Sequence, residues 1–122
     1  MQIKVISWNI WLDGDFKKIS EFLRASKADI IGLQEVIPED KGRNIIDFLR
    51  GLGYQYVFSP AFELDWESVR KGQKMGNAIF SRYPIRGSRT HVLSEESRRV
   101  AVEATIEVGS IQLNVFSLHT LH

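Results

Sequence analysis

Cysteine is absent from the 122 residues. Disulfides, thiolate metal sites and cysteine nucleophiles are therefore excluded within this chain. An excess of either charge is also absent: 16 Lys and Arg stand against 15 Asp and Glu, for a net charge of +1. There is no bulk basic field to draw in nucleic acid, which leaves open a nucleic-acid substrate gripped at one local site. No apolar run approaches membrane-spanning length, and Met1-Gln2-Ile3-Lys4-Val5-Ile6 lacks the form of a signal peptide. A cytoplasmic protein without a membrane span is the default expectation. Repeats, low-complexity tracts and linker-like shifts in composition are missing too, so a single domain over residues 1–122 is expected.

What is present is ordinary for a globular protein: 43% hydrophobic and 25% charged residues. The stretch Ile30-Ile31-Gly32-Leu33-Gln34-Glu35-Val36 organises the rest. Its β-branched apolar start reads as a buried strand, and it ends in an amide and a carboxylate delivered to the rim of a core. Ile3 to Ile6 reads as an earlier buried strand with Ser7-Trp8-Asn9 at its exit. Between the two, Asp13-Gly14-Asp15 offers helix N-cap chemistry, and Phe16, Ile19, Phe22 and Leu23 recur at helical spacing. Ile45, Ile46, Leu49 and Leu52 mark a second amphipathic helix, with Gly53 placed to end it.

Tyr54 to Phe58 reads as a strand, Ser59 to Lys74 as a long surface loop, and Gly76 to Phe80 as a strand stopped by Tyr83-Pro84. Further on the period becomes two. Val100, Val102, Ala104, Ile106 and Val108 alternate with polar neighbours, Gly109-Ser110 makes a turn, and Ile111, Leu113 and Val115 resume the alternation. The expected architecture is α/β, with helices early, a hairpin late and one mixed β-sheet.

Polar groups stand at several strand ends: Asn9, Gln34-Glu35, Asn77 and His119. Strands of one sheet can bring such ends onto a common rim. A carboxylate with amide oxygens suits a hard cation such as Mg2+, which prefers oxygen and keeps waters for a substrate phosphate. A histidine donor suits charge developing on a phosphoryl oxygen.

In combination, Ser7-Trp8-Asn9-Ile10, Ile31-Gly32-Leu33-Gln34-Glu35-Val36, Gly76-Asn77-Ala78-Ile79-Phe80-Ser81 and Val115-Phe116-Ser117-Leu118-His119-Thr120 resemble the motifs of the endonuclease/exonuclease/phosphatase (DNase I-like) superfamily, in order and approximate spacing. The resemblance implies a mixed β-sheet with flanking helices, one half of a four-layer α/β sandwich. It implies a metal-dependent phosphoesterase using Mg2+, with Mn2+ as a substitute. Glu35 matches the metal-binding glutamate; Asn9 matches the asparagine beside the metal and phosphate; His119 is similar to the histidine that hydrogen-bonds a phosphate oxygen. Arg98 or Arg99 is similar to an arginine near phosphate, Asn77 supports its motif's backbone beside the phosphate, and Gln34 orients its neighbour.

The implied substrate is a phosphate ester of undetermined kind: nucleic acid, nucleotide, inositol phosphate or phospholipid headgroup. Trp66, in the loop with Glu63, Asp65, Glu67, Arg70, Lys71 and Lys74, is placed either to stack on a base or to anchor the loop.

The chain departs from the pattern in one respect. Members of the superfamily carry a later aspartate-x-asparagine pair and an aspartate-histidine pair around the general base, and neither occurs here. Half of an active site is therefore expected, in a truncated domain. If the hairpin faces the inside of a sandwich, its apolar face needs a cover, which makes self-association through an uncovered sheet face one expectation. The alternative reading is a non-catalytic interaction module, or a half-domain that pairs with another chain.

Overall fold

A computed structural model describes residues 2–10, 14–63, 72–96 and 99–119. Asp13, Asp65, Trp66, Glu67, Arg70, Lys71, Arg98 and His122, all named above, lie outside the described residues. The elements run β1 (Val5–Asn9), α1 (Phe16–Ser26), β2 (Ile30–Val36), α2 (Ile45–Gly51), β3 (Gln55–Glu63), β4 (Lys74–Ser81), β5 (Ile85–Ser94), β6 (Arg99–Val108) and β7 (Ile111–Leu118). No helix among the described residues is long and apolar enough to cross a membrane.

The strands form two sheets, which corrects the expectation of one. A mixed sheet has the order β1-β2-β4-β3, and an antiparallel sheet has the order β5-β6-β7. β1 and β2 are parallel, linked over one face by α1, while β2–β4 and β3–β4 are antiparallel.

Local chemistry sets the helices. The Asp15 carboxylate accepts from the Lys18 amide at 3.1 Å and caps α1. Asn44 does the same for α2 through the Asp47 amide at 3.1 Å, and Gly53 turns away from it at φ +99°. Ile19, Leu23, Ile45, Ile46 and Leu49 pack with Ile31, Leu33, Val36 and Phe80 into one core between the helices and the first sheet. Phe22, expected on that apolar face, is 55% exposed and meets Trp8 edge-on at 5.3 Å.

A second core lies between the sheets. Val102, Ala104, Ile106 and Val108 of β6 are buried against Ile30 and Ile79, with Val57, Leu113 and Val115 at the margin. The alternating face of the hairpin is thus covered by the chain's own first sheet. This packing corrects the uncovered sheet face expected above, the face on which the expectation of self-association was based.

The remaining corrections concern edge strands. β1 begins at Val5, and Val5 is 59% exposed rather than buried. In the main contacts between the sheets β3 lies on β5 and β6, β4 on β6 and β7, and β2 on β7, which leaves β1 on the outside flank. Ser59 to Glu63, read as loop, extend β3 through a bulge between Pro60 and Phe62. β3 is an edge strand, where a proline is tolerated because it has no ladder donor to lose. β5 was not foreseen: its residues are mostly exposed, and its pairing with β6 rather than side-chain burial makes it a strand.

Gly76 of β4 lies tight against β3. A Cβ there would overlap the Ser59 carbonyl oxygen and approach Pro60 Cα to 2.8 Å, and backbone cannot yield as a side-chain tip can. Gly76→Ala is expected to destabilise the protein by roughly 2–3 kcal/mol. Urea unfolding of wild type and variant checks this; an unchanged midpoint would show that β3 and β4 part without cost.

Candidate active site

Strict alternation along β2 would drive Glu35 into the helix-side core occupied by Ile31 and Leu33. An unpaired carboxylate is costly there. The strand avoids this with a bulge: Leu33 pairs with Ala78 and Val36 with Gly76, so Gln34 and Glu35 together oppose Asn77. Val36 then takes the core position on the helix side, and Glu35 is turned out into a small cleft. The turn requires Glu35 to adopt φ +59°, a left-handed conformation rare for residues other than glycine. Half-buried, its carboxylate has no hydrogen-bond or ion-pair partner among the described residues.

The cleft is lined by Glu35, Ala61, Met75, Gly76, Asn77, Arg99, Val100 and His119. The structure thus brings together Glu35, Asn77, Arg99 and His119, four of the residues expected at the site. They arrive from β2, β4, the start of β6 and the residue after β7. Arg99 Nη1 lies 3.0 Å from His119 Nδ1, and Arg99 Nε is buried without a hydrogen-bond acceptor. Asn9 stands one strand away. It pairs in register with Gln34 at the end of β1 and lines a separate groove with Trp8, Ile10, Asp15, Lys18 and Phe22.

Two buried side-chain amides hold the strand ends in place. Gln34 Nε2 donates to Ser117 Oγ at 2.9 Å, and that hydroxyl donates in turn to the Leu33 carbonyl at 3.2 Å. Asn77 Nδ2 donates to the Val100 carbonyl at 2.8 Å. Each crosses from the first sheet to the second. Ser117 escaped the reading of the sequence as a functional position. Its signal was a small hydroxyl at an inward position of an alternating apolar strand, where a buried polar group needs a partner.

A divalent cation fits this donor set as far as the chain provides it. Mg2+ is commonly held by one or two carboxylates, with waters and substrate phosphate completing the shell. Glu35 offers one such carboxylate without competition from a protein cation. Among the described residues no three His, Asp or Glu side chains gather into a fuller cage.

A family model described as the Endonuclease/Exonuclease/phosphatase family matches residues 6–118. No curated protein matches the chain. Among solved structures, the human nocturnin catalytic domain with bound sulfate is 25% identical, with a TM-score of 0.77 over 98% of this chain and 49% of that one. ANGEL2, a 2',3'-cyclic phosphatase in complex with adenosine-2',3'-vanadate, is 18% identical, with a TM-score of 0.77 over 98% of this chain and 41% of its own. An endonuclease/exonuclease/phosphatase protein of Beutenbergia cavernae is 23% identical, with a TM-score of 0.74 over 96% of this chain and 38% of its own. The chain therefore spans half or less of the length of each of these structures.

Two outcomes follow from the local geometry. Glu35→Gly relieves a left-handed backbone that costs an L-residue roughly 1–2 kcal/mol, against roughly 0.5–1 kcal/mol of added chain entropy. The variant should match or exceed wild type in urea unfolding; a loss above about 1 kcal/mol would mean that the side chain itself holds the bulge. Ser117→Ala strands both the Gln34 amide and the Leu33 carbonyl and should cost roughly 1–3 kcal/mol. In a double-mutant cycle with Gln34→Ala the two losses should be strongly non-additive, and simple additivity would dissolve the bridge.

Proposed function

The chain belongs to the endonuclease/exonuclease/phosphatase family, and on that basis we propose that it carries the first half of the active site of a Mg2+-dependent phosphoesterase. One observation carries the reading. A carboxylate in a strained backbone conformation, with no protein partner among the described residues, shares a cleft with a guanidinium and an imidazole. Such a cleft offers a place for a cation on one side and for phosphoryl oxygens on the other.

In this proposal Glu35 binds the metal and Asn9 lies beside it. Mn2+ is expected to substitute for Mg2+. The bound cation would supply charge neutralisation at a phosphoryl oxygen. His119 and Arg99 donate hydrogen bonds to the phosphoryl oxygens, whose charge grows as a water oxygen bonds to phosphorus and the ester oxygen departs. Asn77 and Gln34 keep the two sheet ends at a fixed spacing, so Asn77 is assigned to support beside the phosphate rather than to direct contact. Arg98 is a further candidate for the phosphate side. The base that takes the proton from water comes from the second half of the domain, which the relatives' greater length accommodates. The substrate is a phosphate ester.

A non-catalytic interaction module is the second reading. Glu35→Gln in the intact protein separates the two. It keeps shape and removes the charge, so turnover of a phosphodiester substrate should fall by roughly a hundredfold or more while the unfolding midpoint stays put. Calorimetric titration with Mn2+ should show the affinity falling in parallel. Undiminished turnover would refute the assignment of Glu35, and absence of both turnover and saturable Mn2+ binding in the wild type would favour the module.

A further inference from the structure

The contact between Arg99 and His119 determines where the imidazole carries its proton. Arg99 Nη1 faces His119 Nδ1 at 3.0 Å. A guanidinium has only donors and stays protonated in proteins. The nitrogen facing it must accept, so Nδ1 holds a lone pair, and the single proton of the neutral ring sits on Nε2.

We infer that Arg99, besides its part on the phosphate side, positions His119 by locking it as the Nε2–H tautomer. The ring then offers its Nε2–H to a ligand, while its Nδ1 lone pair is engaged by Arg99 and does not serve as a base. The consequence for catalysis rests on the phosphoesterase reading; the tautomer rests on the geometry alone.

Three features of the fold make the lock effective. β6 and β7 are ladder neighbours, and Ala101 pairs with Leu118, so the start of one strand and the end of the other deliver Arg99 and His119 to the same point. His119 lies one residue past the end of β7, so side-chain contacts rather than the ladder set its ring orientation. Arg99 is half-buried and its Nε is enclosed, which limits the guanidinium's freedom to swing away. The same sheet holds a contrasting histidine. His91 Nε2 lies 2.7 Å from the Glu103 carboxylate, an acceptor, and so must itself carry the proton that is donated. His91 thus owes its proton position to an acceptor and His119 to a donor.

The test uses the intact protein labelled with 15N-histidine. Long-range 1H–15N correlation near pH 8, where ordinary imidazoles are neutral, reads the tautomer of each ring directly. His119 is expected to show a pyrrole-type Nε2 and a pyridine-type Nδ1. Arg99→Met should convert it to an averaged mixture of tautomers, and Arg99→Lys, which keeps a charged donor, should restore the wild-type pattern. A wild-type His119 protonated on Nδ1 overturns the inference. So does an Arg99→Met variant whose His119 keeps the pure Nε2–H pattern.

Activity provides a separate arm. Arg99→Met should lower kcat by roughly 10–100-fold, through loss of its own phosphate contact and of the His119 lock together, with Arg99→Lys recovering part of the loss. If the wild type shows the expected tautomer but hydrolyses no phosphate ester, the phosphoesterase reading fails and the Arg99 assignment stands.

Discussion

The structure depends on one buried polar bridge between its sheets, from the Gln34 amide to the Ser117 hydroxyl and on to the Leu33 carbonyl. Most of the contact between the sheets is apolar, and apolar contact alone fixes neither register nor spacing closely. A hydrogen bond in such surroundings is directional, and costly to leave unmade. The Asn77 bond to the Val100 carbonyl repeats the device one strand over. Together they hold the strand ends that bear Glu35, Arg99 and His119. Those residues are scattered along the chain, and the bridges rather than local sequence determine how far apart they stand.

The bulge at Gln34-Glu35 answers a different constraint. β2 is buried on both faces, so any polar side chain near its end conflicts with one core or the other. Gln34 resolves the conflict by finding a partner in the second sheet. Glu35 resolves it by leaving the alternation, at the cost of a left-handed backbone. Strain of this kind persists only when the surroundings over-determine it, and here Leu33 and Val36 are both wholly buried on either side of the bulge. The site carboxylate is held by the rigidity of its neighbours, without a hydrogen bond of its own among the described residues.

Much of this was legible in the residues. The N-cap of α1, the periodicity of both helices, the strand at Ile30 to Val36 and the turn at Gly109-Ser110 follow from local chemistry, and the structure has each of them, whereas the Asn44 cap of α2 went unread. Glu35, Asn77, Arg99 and His119 were each named from motif resemblance, and they line one cleft. What escaped was non-local. A strand such as β5, which is mostly exposed and owes its form to its partner's backbone, has no apolar period to read. The continuation of β3 past Pro60 was hidden by a residue that interior strands exclude and edge strands accept. The division into two sheets was invisible for a related reason: alternation tells which side of a strand is buried, not which strand lies across from it. Arg99 illustrates the limit within the site. Its residue type suggested a phosphate contact, and only its placement against His119 revealed a neighbour whose proton it governs.

The two flanks of the sandwich are not alike in how they guard their open backbone. One flank ends in β3 and β5. β3 carries Pro60 and a bulge, and β5 carries Arg86, Arg89 and two breaks in register. These are the features by which natural sheets discourage strangers from pairing with their edges. The opposite flank ends in β1 and β7, Val5-Ile6-Ser7-Trp8-Asn9 and Ile111-Gln112-Leu113-Asn114-Val115-Phe116-Ser117-Leu118. Neither segment contains a charge or a proline, their ladders run without a break, and Val5, Ile111 and Phe116 are each more than half exposed. The molecule is therefore lopsided as a colloid. One side repels edge-on association, and the other presents uncharged β-rich edges to whatever strand meets them. That flank is where edge-on pairing of this chain in isolation is expected to begin, however well its two cores are packed.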